Sequence, residues 1–306
     1  MKVTTPFPTL RSFITDTFLS YGTPAAEASV CADVLLESDL RGIDSHGIGR
    51  LKPIYCDRFD AGILSPTQLP TVETEGASVA MVDGNLGCGL HVGPFCMRLA
   101  IKKAKETGVG FVLAKRSTHY GIAGYAREGL PTPAGCVVDR NGVERTDTEG
   151  ILKDLVSGEC ALTPLGGAGE EMGGYKGYGW AVLVELLCTA FQSGPFGKAI
   201  SGVGEDGKAI PMPLGHFFLA VDVSKFLDPK IFRANASALL AGLRASRKDP
   251  TLGGRIYTAG EPEHDARVER TGRGGLMLPI SLQKNMIAIR DARPDLKAKY
   301  PKFDFE

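Results

Sequence analysis

Asp39-Leu40-Arg41-Gly42-Ile43-Asp44-Ser45-His46-Gly47-Ile48-Gly49-Arg50-Leu51 is the densest run of chemistry-bearing side chains in this chain of 306 residues. It combines an imidazole, a hydroxyl, carboxylates and two guanidiniums. It falls where one helical pattern ends and the next begins. Helix ends leave backbone groups unpaired, so a side chain placed there acts beside free donors. His46 can exchange a proton near neutral pH. Arg50 lies four residues on and shares its face if the helix has begun. Its planar fork matches a carboxylate with two parallel hydrogen bonds. The plainer alternative is local: Ser45 caps the next helix, Asp44 aids the cap, and Arg50 makes a surface ion pair. A serine-hydrolase reading fails. Adjacent Asp, Ser and His cannot form a nucleophile–base–orienter array, and the chain has no Gly-x-Ser-x-Gly elbow.

Working outward, the first sixty residues read as three helices. Leu10, Phe13, Ile14, Phe18 and Leu19 recur at helical spacing, with Thr9 as cap and Gly22 as stop. A second helix opens at Thr23-Pro24 and carries Ala28, Cys31, Ala32, Leu35 and Leu36 on one face, ending near Gly42. The third runs from about Ile48 to Asp60 and stops at Gly62. The pattern then changes to a strand over Ala77 to Val82, a helix over Val92 to Lys105 closed by Gly108, and a strand over Val109 to Leu113. Strand, helix, strand implies a layered α/β or α+β core. Arg127 to Thr163 is weakly patterned. Beyond it lie a helix over Trp180 to Gln192 and a strand over His216 to Val223. A helix over Asp228 to Ala245 has Ile231, Ala234, Leu239, Leu240 and Leu243 as its apolar face. A last helix over Pro279 to Arg293 is broken by Pro294.

Composition removes several function classes. Lys plus Arg and Asp plus Glu both number 35, which argues against a protein that wraps nucleic acid electrostatically. The seven cysteines are odd in number and contain no Cys-x-x-Cys pair. That argues against a disulfide framework or structural zinc and for a reducing compartment. No His/Asp/Glu set has metal-ligand spacing, so no metal is expected. The N-terminus lacks a signal-peptide core. The apolar run Tyr178 to Phe191 is interrupted by Glu185 and is too short to span a bilayer. A cytoplasmic protein with no membrane partner is expected.

Three further clusters bear chemistry. Ser117-Thr118-His119-Tyr120-Gly121-Ile122-Ala123-Gly124 follows a strand, where cofactor phosphates often sit; it also reads as an ordinary polar loop. Pro164-Leu165-Gly166-Gly167 through Gly173-Gly174-Tyr175-Lys176-Gly177-Tyr178-Gly179 leads into a helix. Its backbone N–H groups and lysine suit a pyrophosphate, and a flexible glycine loop is the alternative. Gly260-Glu261-Pro262-Glu263-His264-Asp265-Ala266-Arg267 reads by itself as a solvated charged loop. The literal Gly-x-Gly-x-x-Gly at Gly202 to Gly207 precedes Lys208-Ala209-Ile210-Pro211 rather than a helix and is coincidental. His91 and His216 read as packed side chains rather than ligands.

In this order the four clusters resemble the type 2 malate/L-lactate dehydrogenase family, and the resemblance spans nearly the whole chain. Pro164-Leu165-Gly166-Gly167 and Gly174-Tyr175-Lys176-Gly177 look like its malate dehydrogenase branch. The resemblance implies an α+β fold: a non-Rossmann, mixed-sheet NAD(P)-binding domain over 73–276, and a small helical domain from 1–72 with 277–306. It implies NAD or NADP as cofactor, a small 2-keto or 2-hydroxy acid (malate and oxaloacetate) as substrate, and a homodimer. It makes His46 the proton donor, Ser45 its relay partner and Arg50 the carboxylate ligand. His119, Tyr120, Gly121, Ile122 and Ala123 would line the dinucleotide with Tyr175 and Lys176. So would Glu261, Pro262, Glu263, His264, Asp265, Ala266 and Arg267.

One departure stands out. Tyr125-Ala126 runs directly into Arg127-Glu128-Gly129-Leu130-Pro131, which looks like a region much further along the family's chain. A central segment, with an Asp-Met-Ala strand and a relay aspartate, is therefore expected to be missing. Two functions follow from the sequence: an NAD(P)-dependent reductase, or a catalytically impaired relative that dimerises or binds a partner.

Overall fold

The structure, a computed structural model, describes residues 4–118, 131–204, 206–251 and 253–306. A short strand, Thr4–Pro6 (β1), leads into helix Phe7–Ser20 (α1). The helix begins before the expected Thr9 cap. Pro8 explains this: in the first turn its missing N–H costs nothing and its fixed φ suits the helix. Leu10, Phe13, Ile14 and Phe18 are fully buried, while Leu19 is exposed. Ala25–Leu40 (α2) buries Ala28, Cys31, Ala32, Leu35 and Leu36, the face read from the sequence. Pro24, not Thr23, holds its capping position. The third helical stretch is irregular. A 3-10 turn, Ile48–Arg50, passes into a π-helical turn, Leu51–Cys56, and one α-turn, Asp57–Asp60 (α3). Pro53 lies inside the π turn and has no N–H for a regular ladder.

Next come Thr71–Glu75 (β2), which the sequence pattern did not reveal, Val79–Asp83 (β3), Gly89–Thr107 (α4) and Val109–Ser117 (β4). The weakly patterned region holds Val137–Asp139 (β5), Thr148–Ser157 (α5) and Cys160–Leu162 (β6). Its strands are three residues each, too short for alternation to register. Val137, Ile151 and Cys160 form its own small core. Gly174–Cys188 (α6) starts inside the glycine-rich segment, ahead of the expected Trp180. Leu214–Val221 (β7) and Pro229–Arg244 (α7) follow, with Asp228 capping the latter by accepting from the Lys230 N–H at 2.8 Å.

Glu261–Arg273 (α8) corrects the expected loop. Gly260 turns the chain at φ 87° and Pro262 occupies the first turn. Gly275–Met277 (β8) pairs antiparallel with β1. Ile280–Asp291 (α9) and Pro294–Lys299 (α10) end the chain, so Pro294 both stops one helix and opens another.

The main sheet has the order β2-β3-β4-β7. β3 and β4 are parallel across α4, and the other pairs are antiparallel, so the sheet is mixed. Val92, Cys96 and Ala100 of α4 pack on Ala80, Val82, Val112 and Ala114. A second core joins α1, α2 and the 48–64 region to Leu276, Leu278, Met286, Ile289, Leu296 and Phe303. Phe13 meets Tyr300 and Phe303 edge-on at 5.3 and 5.2 Å, so both ends of the chain share this core. No helix among the described residues is long and apolar enough to cross a membrane.

Candidate active site

The site is built from the end of α2. Asp39 is only 3% exposed, and its Oδ2 accepts the Ile48 N–H at 2.8 Å. Asp39, rather than Ser45, therefore supplies the side-chain contact at the start of the 3-10 turn. Gly47 makes this possible. A Cβ there would stand 1.8 Å from Asp39 Oδ1, so any other residue would push the Asp39 carboxylate out of this position. The turn between them is closed by a buried carboxylate and a glycine, and it presents Ser45 and His46 at its outer end.

Ser45 Oγ lies 2.6 Å from His46 Nδ1. Whichever atom donates, the bond fixes Nδ1 and leaves Nε2 for proton exchange. Arg50 Nε donates to the Ser45 carbonyl at 2.5 Å, so the guanidinium is held against the same turn. His46, Ser45 and Arg50 thus lie in one turn, each half-buried.

α8 docks against this turn. Arg267 Nε donates to Glu37 Oε1 at 3.2 Å. Arg270 grips both oxygens of Asp44, the Nη2–Oδ2 bond measuring 3.0 Å, and donates to the Asp39 carbonyl at 2.5 Å. The Asp44 bond raises the Arg270 pKa above its ordinary value. The sequence reading missed Arg270. The signal was present: Arg267 and Arg270 are three apart and share a helix face once Glu261–Arg273 is read as a helix. Gly260 followed by Pro262 is the cue for that helix start. Glu261 Oε2 accepts from the Thr258 N–H at 2.6 Å and its hydroxyl at 2.8 Å, which holds the Glu261 carboxyl below the usual range. Asp265 bonds Arg255 at 2.6 Å. Glu263 differs: its Oε2 is buried and has no hydrogen-bond partner among the described residues. His264 is exposed.

Tyr175 and Lys176 sit elsewhere, on the first turn of α6. The glycine-rich segment is packed rather than loose. Cβ atoms at Gly174 and Gly177 would lie 2.1 Å from the Gly167 carbonyl and 2.0 Å from that of Leu165. The helix start therefore rests directly on the preceding backbone. Beside it opens a cavity of about 590 Å³, lined by Leu165, Glu171, Met172, Tyr175, Lys176 and Trp180. A second cavity, of about 490 Å³, borders Asp39, Ser45, Gly49, Leu276, Leu282 and Asn285. The two share no lining residue. His119, Tyr120, Gly121, Ile122 and Ala123 lie outside the described residues, as does the junction after Ala126. Thr118, just before them, is anchored: its hydroxyl donates to the Gly87 carbonyl and accepts the Gly89 N–H, both at 3.0 Å.

The structure thus unites the first and fourth clusters and sets the third in a cavity of its own. His91 and His216 are packed: His216 Nε2 lies 3.4 Å from the Thr118 carbonyl, and the buried His91 Nε2 has no partner among the described residues. Among the described residues no group of three or more His, Cys, Asp or Glu could hold a metal ion.

The malate/L-lactate dehydrogenase family model matches residues 5–128 and 124–286, and the chain belongs to that family. Malate dehydrogenase of Pyrococcus horikoshii is 32% identical, across 84% of this chain and 86% of its own. L-sulfolactate dehydrogenase of Methanocaldococcus jannaschii is 27% identical, across 85% of this chain and 89% of its own. Among solved structures, malate dehydrogenase from Entamoeba histolytica superposes with a TM-score of 0.88 at 27% identity, covering 99% of each chain.

Proposed function

We propose that this dehydrogenase interconverts a 2-hydroxy acid and a 2-keto acid, with malate and oxaloacetate as the favoured pair, using NAD or NADP. The observation that carries the reading is the Ser45–His46 bond, with Arg50 tied to the same turn. When bound, the nicotinamide supplies or accepts the hydride. His46 Nε2 gives its proton to the developing alkoxide, and Ser45 keeps the ring in orientation. Arg50, whose Nε is held by the Ser45 carbonyl, binds the substrate carboxylate. The malate assignment draws on the malate dehydrogenases at 32% and 31% identity. The sulfolactate dehydrogenases keep a sulfonated acid in the test set.

The residues fit a dinucleotide. Lys176, beside the backbone N–H groups that open α6, suits a pyrophosphate. The orphaned Glu263 Oε2 suits a ribose hydroxyl, since a buried acceptor without a donor is costly. Tyr175 adjoins Lys176 at the start of α6, and His264 adjoins Glu263 at the start of α8. Glu261, Asp265 and Arg267 already bond Thr258, Arg255 and Glu37, so with Pro262 and Ala266 they shape the site from within the helix. His119 to Ala123 complete it in this proposal.

The domain division belongs to the same reading, helical over 1–72 with 277–306 and cofactor-binding over 73–276; the distinct core under the sheet supports it, while Cys88, Leu90 and Leu276 pack across the boundary into the helical core. So do a homodimer, supported by the exposed apolar faces of α6 and α7, and a cytoplasmic location. A missing segment after Ala126 is supported by the family match falling into two stretches that meet at 124–128.

The test is NADH and NADPH consumption by the purified chain with oxaloacetate, pyruvate, sulfopyruvate and a cyclic imino acid in parallel. Turnover is expected with at least oxaloacetate. His46→Ala should lower it by about 10²–10⁴-fold, with NADH binding unchanged. No turnover with any substrate, from a chain that melts cooperatively, would replace this reading with the non-catalytic one.

A further inference from the structure

We propose that Arg270 is a positioning residue that holds the His46 turn in its working shape and couples it to α8. The proposal rests on the assignment of His46 as proton donor. Its geometry is independent of that assignment. Arg270 reaches across 226 residues of sequence to grip both Asp44 oxygens, and also donates to the Asp39 carbonyl. Asp44 directly precedes Ser45, and Asp39 anchors the other side of the turn through Ile48. One guanidinium therefore fastens both flanks of the segment that carries Ser45 and His46.

The fastening is deliberate in its chemistry. The two Asp44 bonds use the planar fork, which an ammonium cannot reproduce. The carbonyl bond falls on the last turn of α2, on an oxygen that also accepts the Gly42 N–H at 3.2 Å, so Arg270 joins the cap that ends the helix. The fit is also close sterically. A Cβ on Gly42, within the turn, would approach Ala266 Cβ at 3.1 Å, so α8 lies directly on the turn. Arg267 adds a second contact, to Glu37, one helical step earlier. The first turn of the same helix carries Glu263 and His264. Occupancy at that end and the pose of His46 at the other are thus properties of one rigid element.

The experiment compares wild type with Arg270→Gln, Arg270→Lys and Asp44→Asn, using two readouts. The first is steady-state kinetics with NADH and a 2-keto acid. Arg270→Gln should lower kcat on the order of 10²-fold, the effect of a slightly misplaced catalytic group, while the KM for NADH stays within about twofold. Arg270→Lys should recover only part of the loss, and Asp44→Asn should resemble Arg270→Gln. The second readout is the imidazole NMR resonance of His46, identified by its disappearance in His46→Gln. It should shift or broaden in Arg270→Gln while the His91 and His216 resonances stay in place. An unmoved His46 resonance, or a kcat within twofold of wild type, overturns the proposal. So does movement of all three resonances together, which marks a general loss of structure. If wild type itself shows no turnover, the reductase reading fails, and the NMR comparison still decides whether Arg270 positions the turn.

Discussion

α1 and α7 have the same kind of apolar stripe and opposite fates. On α1, Leu10, Phe13, Ile14 and Phe18 are wholly covered by α2, the 48–64 turns and the C-terminal helices. On α7, none of the residues is buried, and Ile231, Phe232, Leu239 and Leu243 stand exposed, Leu239 at 66%. α6 is similar: Tyr178, Trp180, Val184 and Leu186 are all largely exposed. Monomeric proteins rarely leave contiguous apolar faces of this kind open. An amphipathic pattern states which face must be covered; it does not say what covers it. In the N-terminal half the cover lies in the chain. Around α6 and α7 it does not lie among the described residues.

The largest effect separates the two regions by stability. Phe13→Ala should cost about 3–5 kcal/mol of unfolding free energy, because it empties a closed aromatic site against Tyr300 and Phe303. Leu239→Ala in dilute protein should cost about 0.5 kcal/mol or less. Urea melts of both variants measure the difference. Equal costs would mean that α7 is covered after all. A smaller effect tests the cover itself. Leu239→Glu combined with Leu243→Glu should convert a dimer into monomers in light-scattering chromatography, with little change in the unfolding midpoint of the dilute chain. A wild type that is already monomeric at micromolar concentration would remove a second copy as the cover.

The same contrast explains what could be read from sequence. The buried faces of α1 and α2, the α4 crossover flanked by two strands, and the start of α7 near Asp228 were legible because periodicity and stop signals agree there. β2 escaped because Thr71–Glu75 is exposed along its whole length and carries no apolar alternation. α8 was mistaken for a loop because its charged composition hides a helix whose role is ionic, through Arg267 and Arg270. The His46 turn was legible in composition, but its geometry was not. That Asp39 and Gly47 close it depends on a contact eight positions apart, and that Arg270 fastens it depends on one spanning most of the chain. Local spacing cannot show either.

The smallest effect concerns two imidazoles on the covered side of the comparison. Burial lowers the pKa of His91 and of His216 below the ordinary 6.5, because the charged form loses its water; nearby Glu27 opposes this for His91, and the Thr118 carbonyl for His216. The unfolded chain then binds more protons than the folded one as pH falls through about 6.5, so stability must fall with it. Above that value the two states bind protons equally and the effect vanishes. Each histidine can contribute at most about 1.4 kcal/mol per pH unit in that window. Asp83 titrates in a separate window. Burial would raise its pKa, but hydrogen bonds from Arg116 and the Asn85 N–H outweigh burial and hold it below the usual carboxylate range. Its contribution is present at and above that range and is lost only in stronger acid. Urea midpoints at pH 7.5 and 5.5 therefore isolate the histidines. Wild type should lose stability between them, and His91→Gln with His216→Gln should lose less. An equal loss in both proteins would place the pH sensitivity outside these two packed rings.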